Sequence, residues 1–207
     1  MSDDRRAPTS HERRTGLPWD ASYRDGPAPW DIGRPQPAIV RVAAGFVGPV
    51  LDAGCGTGEN ALHIGSLGLP VLGVDVAETA IGMARAKAEQ RGIAAEFAVA
   101  DALRLDRLGR RFTTVVDSGL FHTFEGDERS AYVASLRSVT EPGGAAYILC
   151  FSDQGSDLGP HPVSQPDLRA AFEADGSWQV AAIEPDQIET RFHDHGAPAW
   201  LATIRRR

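Results

Sequence analysis

The stretch Val50-Leu51-Asp52-Ala53-Gly54-Cys55-Gly56-Thr57-Gly58 constrains this chain more than any other. A short apolar run stops at an acid, and glycines at alternate positions follow before a helical pattern begins. Glycine admits positive φ and lets a bound group approach the backbone closely. A helix N-terminus just beyond offers unpaired N–H groups to a polar or negative ligand. The stretch therefore reads as a binding turn after a first strand, with a ligand-free glycine turn as the plain alternative. A dinucleotide fingerprint would place a glycine one residue later. Glu59 stands there instead, and its carboxylate would face a pyrophosphate badly.

A regular alternation follows the turn. Residues 59–68 read as a helix stopped by Gly68, and PVLGVD as a second strand. In 77–92, Ile81, Ala84 and Ala88 share one helical face and Gly92 ends it. AAEFAVAD and FTTVVDSG are strands three and four; DERSAYVASLRSV is a helix; GGAAYILCF is strand five; QPDLRAAFEAD is a helix. WQVAAIEP and APAWLATIRR, separated by a turn region, should pair as an antiparallel hairpin. The pattern predicts an α/β fold: a seven-stranded, mostly parallel, doubly wound (Rossmann-like) sheet with a C-terminal antiparallel hairpin. Its ligand should sit at the carboxyl ends of the strands.

Ahead of the turn, residues 1–16 read as a flexible, charged tail. Residues 17–37 hold five prolines, the Asp25-Gly26 turn pair and two of the four tryptophans. That is too aromatic for a linker and too proline-rich for a long helix, so the segment reads as a cap. A short helix over 38–46 follows. Residues 17–207 then form one domain.

Composition narrows the partners. With 21 Lys+Arg against 28 Asp+Glu, the net charge is −7, a poor match to a phosphate backbone, so no nucleic-acid partner is expected. The terminal Arg205-Arg206-Arg207 reads as a solvated end. Lys87 is the only lysine, and no role is read from that. Two cysteines, Cys55 and Cys150, cannot build a disulfide framework. No signal or membrane-spanning segment is visible, so the cytoplasm is the expected compartment. A monomer or weak homodimer is expected.

Acids close three strands in succession: Asp75, Asp101 and Asp117. An acid like Asp75 can accept ribose hydroxyls or cap the next helix. Together with D-A-G-C-G-T-G, the series resembles class I S-adenosylmethionine-dependent methyltransferases. The resemblance implies S-adenosyl-L-methionine as cofactor and S-adenosyl-L-homocysteine as product. It sets Asp52, Gly54, Cys55, Gly56 and Gly58 around the cofactor, and Asp75 with Val76 at the ribose. Asp101 would accept the adenine amino group beside the Ala102 N–H, and Asp117 would face the sulfonium end.

The cap carries a narrower resemblance. Its Trp19, Tyr23, Gly26, Pro29-Trp30-Asp31, Gly33-Arg34-Pro35 and Pro37 are similar to the entry segment of the thiopurine and halide/thiol methyltransferases. The likeness extends to small methyltransferases acting on heterocyclic hydroxyls and thiols. It implies that residues 17–37 fold over the cofactor, with Trp19 and Trp30 lining the pocket and Arg34 near the methionine end. Tyr23, Phe121, His122 and Phe124 would form the acceptor pocket. Aromatic faces attract a sulfonium cation by about 0.5–2 kcal/mol; anchoring of the segment to the core is the plainer alternative for the tryptophans.

The expected reaction is an in-line methyl transfer to a sulfur or oxygen of a small, heteroaromatic molecule, with a halide ion as a further candidate nucleophile. Alignment is the enzyme's main task there. His122, in the loop after strand four, could be a base for a hydroxyl acceptor or simply a hydrogen-bonded loop histidine. A nicotinamide-dependent oxidoreductase is the competing enzyme class, opposed by Glu59, Asp101 and Asp117. A non-catalytic S-adenosylmethionine-binding protein is the other alternative. His193-Asp194-His195 has no third ligand at metal spacing and reads as a turn, so no metal is expected.

Overall fold

A computed structural model describes residues 6–24, 26–155, 159–193 and 195–207. Residues 1–5 of the expected tail, Asp25 of the turn pair and Asp194 of the histidine turn lie outside the described residues.

The strands are β1 (Val50–Ala53), β2 (Val71–Asp75), β3 (Glu96–Val99), β4 (Phe112–Ser118), β5 (Thr140–Phe151), β6 (Trp178–Ile188) and β7 (Ala197–Arg206). They form one sheet in the order β3-β2-β1-β4-β5-β7-β6. Strands β1 to β5 pair in parallel, while β7 runs antiparallel to both β5 and β6. The expected sheet and terminal hairpin are thus present, with β7 inserted between β5 and β6. The strand order reverses beside β1, and open α/β sheets leave their ligand crevice at such a point.

Both faces of the sheet are buried, and the strands show it by alternation. Along β5, Ala146, Ile148 and Cys150 join one core, and Ala145, Tyr147, Leu149 and Phe151 join the other. The first core is covered by α6 (Asp127–Val139) and α7 (Gln165–Glu173), which contribute Tyr132, Leu136, Leu168 and Phe172. The second is covered by α3 (Pro37–Val42), α4 (Glu59–Ser66) and α5 (Glu78–Arg91) through Ile39, Leu62, Ile64, Ile81 and Ala84. Removing a fully buried leucine such as Leu136 costs about 2–5 kcal/mol in cores of this kind.

The helices flanking the crevice lack side-chain caps at their own N-cap residues, Gly58 and Ala77. Carboxylates from elsewhere supply them. Asp52 accepts the Ala61 N–H of α4 at 3.0 Å. Asp20, in the proline-rich segment, accepts the Thr79 N–H of α5 at 2.7 Å. Each bond satisfies a donor that a helix start leaves open.

The N-terminal region departs from expectation. Within residues 1–16, read as a flexible tail, Ser10–Thr15 form α1; within the 17–37 cap, Ala21–Arg24 form α2. Thr9 and Glu12 make a reciprocal capping box on α1. Ser10 and Arg13 then fasten it to Glu128 of α6, at 2.7 Å and 3.0 Å. The expected helix over 38–46 divides into α3 and a 3₁₀ turn, Ala43–Gly45. Among the described residues, no helix is long and apolar enough to cross a membrane.

Candidate active site

A cavity of about 340 Å³ lies at the carboxyl ends of β1, β2, β4 and β5. Gly54, Cys55 and Gly56 line it from the turn after β1. Gly54 and Gly56 take φ of +72° and +52°, which a side chain would strain. A Cβ on Gly56 would also lie 3.0 Å from the Tyr23 hydroxyl, so the glycine admits the aromatic cap. Gly58, expected against the cofactor, does not line the cavity. Its Cβ would meet Phe97 at 2.7 Å and Ala84 at 2.8 Å, so glycine there serves the packing of α5 on the turn.

The acids divide into two kinds. Asp75, with Val76, and Asp101, with Ala102, line the cavity. Asp75 accepts the Gly56 N–H and the Ala77 N–H, each at 2.9 Å, tying β2 to both the turn and α5. Burial pushes its carboxyl above the usual range. Asp101 accepts the Leu103 N–H at 3.0 Å. Cap and cavity positions therefore coexist at both residues.

Asp52 and Asp117 are different. Both were expected at the cofactor, yet both are buried away from the cavity lining. Asp52 holds the Ala61 N–H, and its Oδ1 has no hydrogen-bond partner. Asp117 accepts the Leu120 N–H and the Tyr132 hydroxyl, each at 2.8 Å. Burial pushes both carboxyls up to about 7. The backbone donors claim these acids, and Ser118, Gly119 and Leu120 form the cavity wall instead.

The segment 17–37 closes one side. Trp19, Tyr23, Trp30 and Arg34 all line the cavity. Trp30 meets Trp19 edge-on at 5.7 Å, and its Nε1–H donates to the Tyr23 hydroxyl at 2.9 Å. That contact and the Gly56 approach seat Tyr23 on the glycine turn rather than among the acceptor-side aromatics. Arg34 pairs with Glu189 at 2.6 Å. His11 of α1 lies flat on Trp19, centroids 4.1 Å apart and 9° from parallel.

The other end is aromatic and rich in histidine. Phe124, Phe151, His122, His161, Phe192 and His193 line it. Phe121 does not: it is fully buried, stacked on Phe172 at 5.5 Å under the Arg129 guanidinium. His122 is buried with Nδ1 unpartnered and its ring 4.5 Å from Phe151. Burial, reinforced by the neighbouring His161, His11 and Arg129, pushes its pKa down to about 3. His193, read as part of a turn, reaches the cavity, and its Nδ1 lies 2.6 Å from the Thr190 hydroxyl. Among the described residues, no cluster of His, Cys, Asp or Glu could hold a metal ion.

Residues 50–144 match the family model described as a methyltransferase domain. The 2-heptyl-1-hydroxyquinolin-4(1H)-one methyltransferase of Mycobacteroides abscessus is 39% identical over 179 residues, covering 82% of this chain and 78% of that protein. This chain belongs to the S-adenosylmethionine-dependent methyltransferases. A probable thiol methyltransferase 2 of Arabidopsis thaliana is 29% identical over 151 residues, 70% of this chain and 67% of its own. The structure of the methyltransferase also superimposes, with a TM-score of 0.81 and 40% identity, on a solved structure described by the conversion of a disulfide bond into a thioacetal group during echinomycin biosynthesis. That match covers 90% of this chain and 89% of the other. S-adenosylmethionine is its cofactor, and its acceptor is a small molecule.

Sequence reasoning missed several residues that line the methyltransferase's cavity. Arg6, Thr9 and His11 come from the supposed tail, and the Thr9-x-x-Glu12 capping box was the available signal. Phe151, His161 and Phe192 carried no local signal, because only the sheet order brings the end of β5 and the two later loops beside β4.

Proposed function

We propose that this small-molecule methyltransferase moves a methyl group to an oxygen or sulfur nucleophile on a heteroaromatic acceptor, by in-line displacement. One observation carries the reading. A single cavity joins the turn at Gly54 and Gly56, with Asp75 and Asp101, to an aromatic end built from Phe124, Phe151 and His122. The hydroxyquinolinone relative favours a flat acceptor and the thiol relative a soft one.

The cavity fits S-adenosylmethionine. Gly54 and Gly56 bring side-chain-free backbone to the cavity wall, and Asp75 has acceptor capacity left beyond its bonds to Gly56 and Ala77. Asp75 would hold the ribose hydroxyls and Asp101 the adenine amino group. Trp19 and Trp30, in the cap of the 17–207 domain, would screen the methionine end from water beside Arg34. Bound there, the cofactor supplies a methyl group already activated by its sulfonium.

His122 is neutral at physiological pH, and a group of such low basicity is a poor proton acceptor there. We therefore assign it to orienting the nucleophile through a hydrogen bond, with acceptors of low pKa favoured. The two free thiols, Cys55 and Cys150, suit a reducing, cytoplasmic setting. The charge of −7 supports a small partner over a nucleic acid.

The test is a screen with S-adenosylmethionine against hydroxyquinolines, thiols, phenols and iodide, following S-adenosylhomocysteine release. Turnover on a hydroxyquinoline or aromatic thiol is expected. Turnover confined to iodide or to aliphatic acceptors would overturn the acceptor class.

A further inference from the structure

The only lysine of the chain, Lys87, lies on α5 with its ammonium turned toward the glycine turn. Nζ donates to the Thr57 hydroxyl at 2.7 Å and to Glu59 Oε1 at 2.8 Å. Thr57 in turn donates to Asp31 Oδ2 at 2.8 Å. A hydroxyl has one proton. Because an ammonium only donates, Lys87 obliges Thr57 to accept from it and to spend its own proton on Asp31. The direction of every bond is thereby fixed: α5 to turn to cap.

The rest of the arrangement supports a directed clamp. Glu59 is buried, and Arg91 also holds it, at 2.8 Å and 2.9 Å. Burial alone would raise its carboxyl; hydrogen bonds from Arg91 and Lys87 outweigh that and leave it below the usual range. The ammonium is thus anchored by a stable anion on one side and has Thr57 to direct on the other. Asp31 follows Trp30 directly, and both line the cavity, as do Thr57 and Glu59. Lys87 does not line it.

We propose that Lys87 is a positioning residue that latches the 17–37 segment over the cofactor through Thr57 and Asp31. The inference rests on the cofactor occupying this cavity. The segment closes one side of the cavity, so a latch on it would set how long the cofactor stays. Asp20, bonded to Thr79 at the start of α5, fastens the same segment at a separate point. It serves as the independent control.

The experiment compares Lys87→Met, Lys87→Arg, Asp31→Ala and Asp20→Ala, with the two doubles Lys87→Met/Asp31→Ala and Lys87→Met/Asp20→Ala. It measures S-adenosylhomocysteine dissociation by stopped flow, and KM for S-adenosylmethionine against kcat. Lys87→Met should speed dissociation and raise KM by about five- to tenfold with kcat within about twofold, a shift of about 1–1.4 kcal/mol. Lys87→Arg, which keeps the donors, should restore most of it. The Lys87/Asp31 double should be no worse than the worse single, while the Lys87/Asp20 double should be additive. Additivity with Asp31, or an unchanged dissociation rate in Lys87→Met, would overturn the latch.

If Lys87→Met does not fold, acetylation of the single lysine in otherwise native protein gives the answer. S-adenosylhomocysteine should slow it and Asp31→Ala should speed it; no change in either would overturn the latch. Wild-type protein that fails to bind S-adenosylhomocysteine would instead sink the cofactor-site reading itself.

Discussion

The Asp75 carboxylate and the Gly56 N–H meet at 2.9 Å, so the acid that closes β2 also fixes the turn that closes β1. Its other oxygen holds the start of α5 through Ala77 at 2.9 Å. One side chain therefore sets the shape of the glycine turn and presents a carboxylate to the cavity.

Replacing it should show both jobs. Asp75→Ala is expected to weaken S-adenosylhomocysteine binding by roughly tenfold or more, at least 1.4 kcal/mol, by calorimetry. Asp75→Asn keeps one acceptor oxygen and should lose less. Equal affinity in Asp75→Ala and wild type would remove the ribose role.

For His122, the discriminating quantity is a ratio. With its pKa pushed down to about 3, the ring does not change charge between about pH 5 and 8. His122→Asn should slow turnover without moving the acid limb of the kcat/KM profile. The loss should be similar for a thiol and for an acidic hydroxyl. A much larger loss on the hydroxyl, with a shifted limb, would restore the base.

Asp52 and Asp117 contribute a pH dependence to stability below neutrality. Both carboxyls are raised to about 7 by burial. Between about pH 4 and pH 7 the folded chain holds more protons at these sites than the unfolded chain does. Their cost therefore grows as pH rises through that window. His122, held neutral, acts in the opposite sense between about pH 3 and 6.5, so the useful measure is a difference between proteins. Asp52→Asn should gain stability over wild type as pH rises from about 4 to 8 in thermal melts. A gap that does not widen would contradict the burial argument.

The N-terminal helix hangs on Glu12. It accepts from the Thr9 N–H at 2.8 Å, the Trp19 N–H at 3.2 Å and Arg6 at 2.6 Å. Burial raises its carboxyl, but Arg6, Thr9 and Trp19 outweigh that and keep it low. Its contribution is therefore present above the usual carboxylate range and lost as pH falls below it. Glu12→Ala should loosen α1, even with Ser10 and Arg13 still on Glu128, red-shift tryptophan emission through Trp19, and raise the acceptor KM by a few fold, about 1 kcal/mol. An unchanged spectrum and KM would mean that α1 is held elsewhere.

Much of the architecture was legible because it follows from periodicity. Glycine punctuation marked β1, β2 and α5, and the final hairpin announced itself by two strands with only a turn between. The insertion of β7 between β5 and β6 left no mark, since strand order is a property of packing. Cavity-lining residues were legible where a motif placed them at a strand end or the turn after it, as at Gly54, Gly56, Asp75 and Asp101. Asp52 and Asp117 share that pattern, yet their side chains serve backbone donors at Ala61, Leu120 and Phe121. A sequence shows that an acid ends a strand but not which donors surround it. Lys87 was conspicuous only by rarity; its bond to Thr57 spans 30 positions.

The most direct test is a crystal structure with S-adenosylhomocysteine soaked in. Ribose hydroxyls are expected on Asp75, adenine beside Asp101 and Ala102, and the sulfur directed toward the end of the cavity lined by His122 and Phe124. Ligand density away from Asp75, or a sulfur end separated from His122 by protein, would contradict that placement.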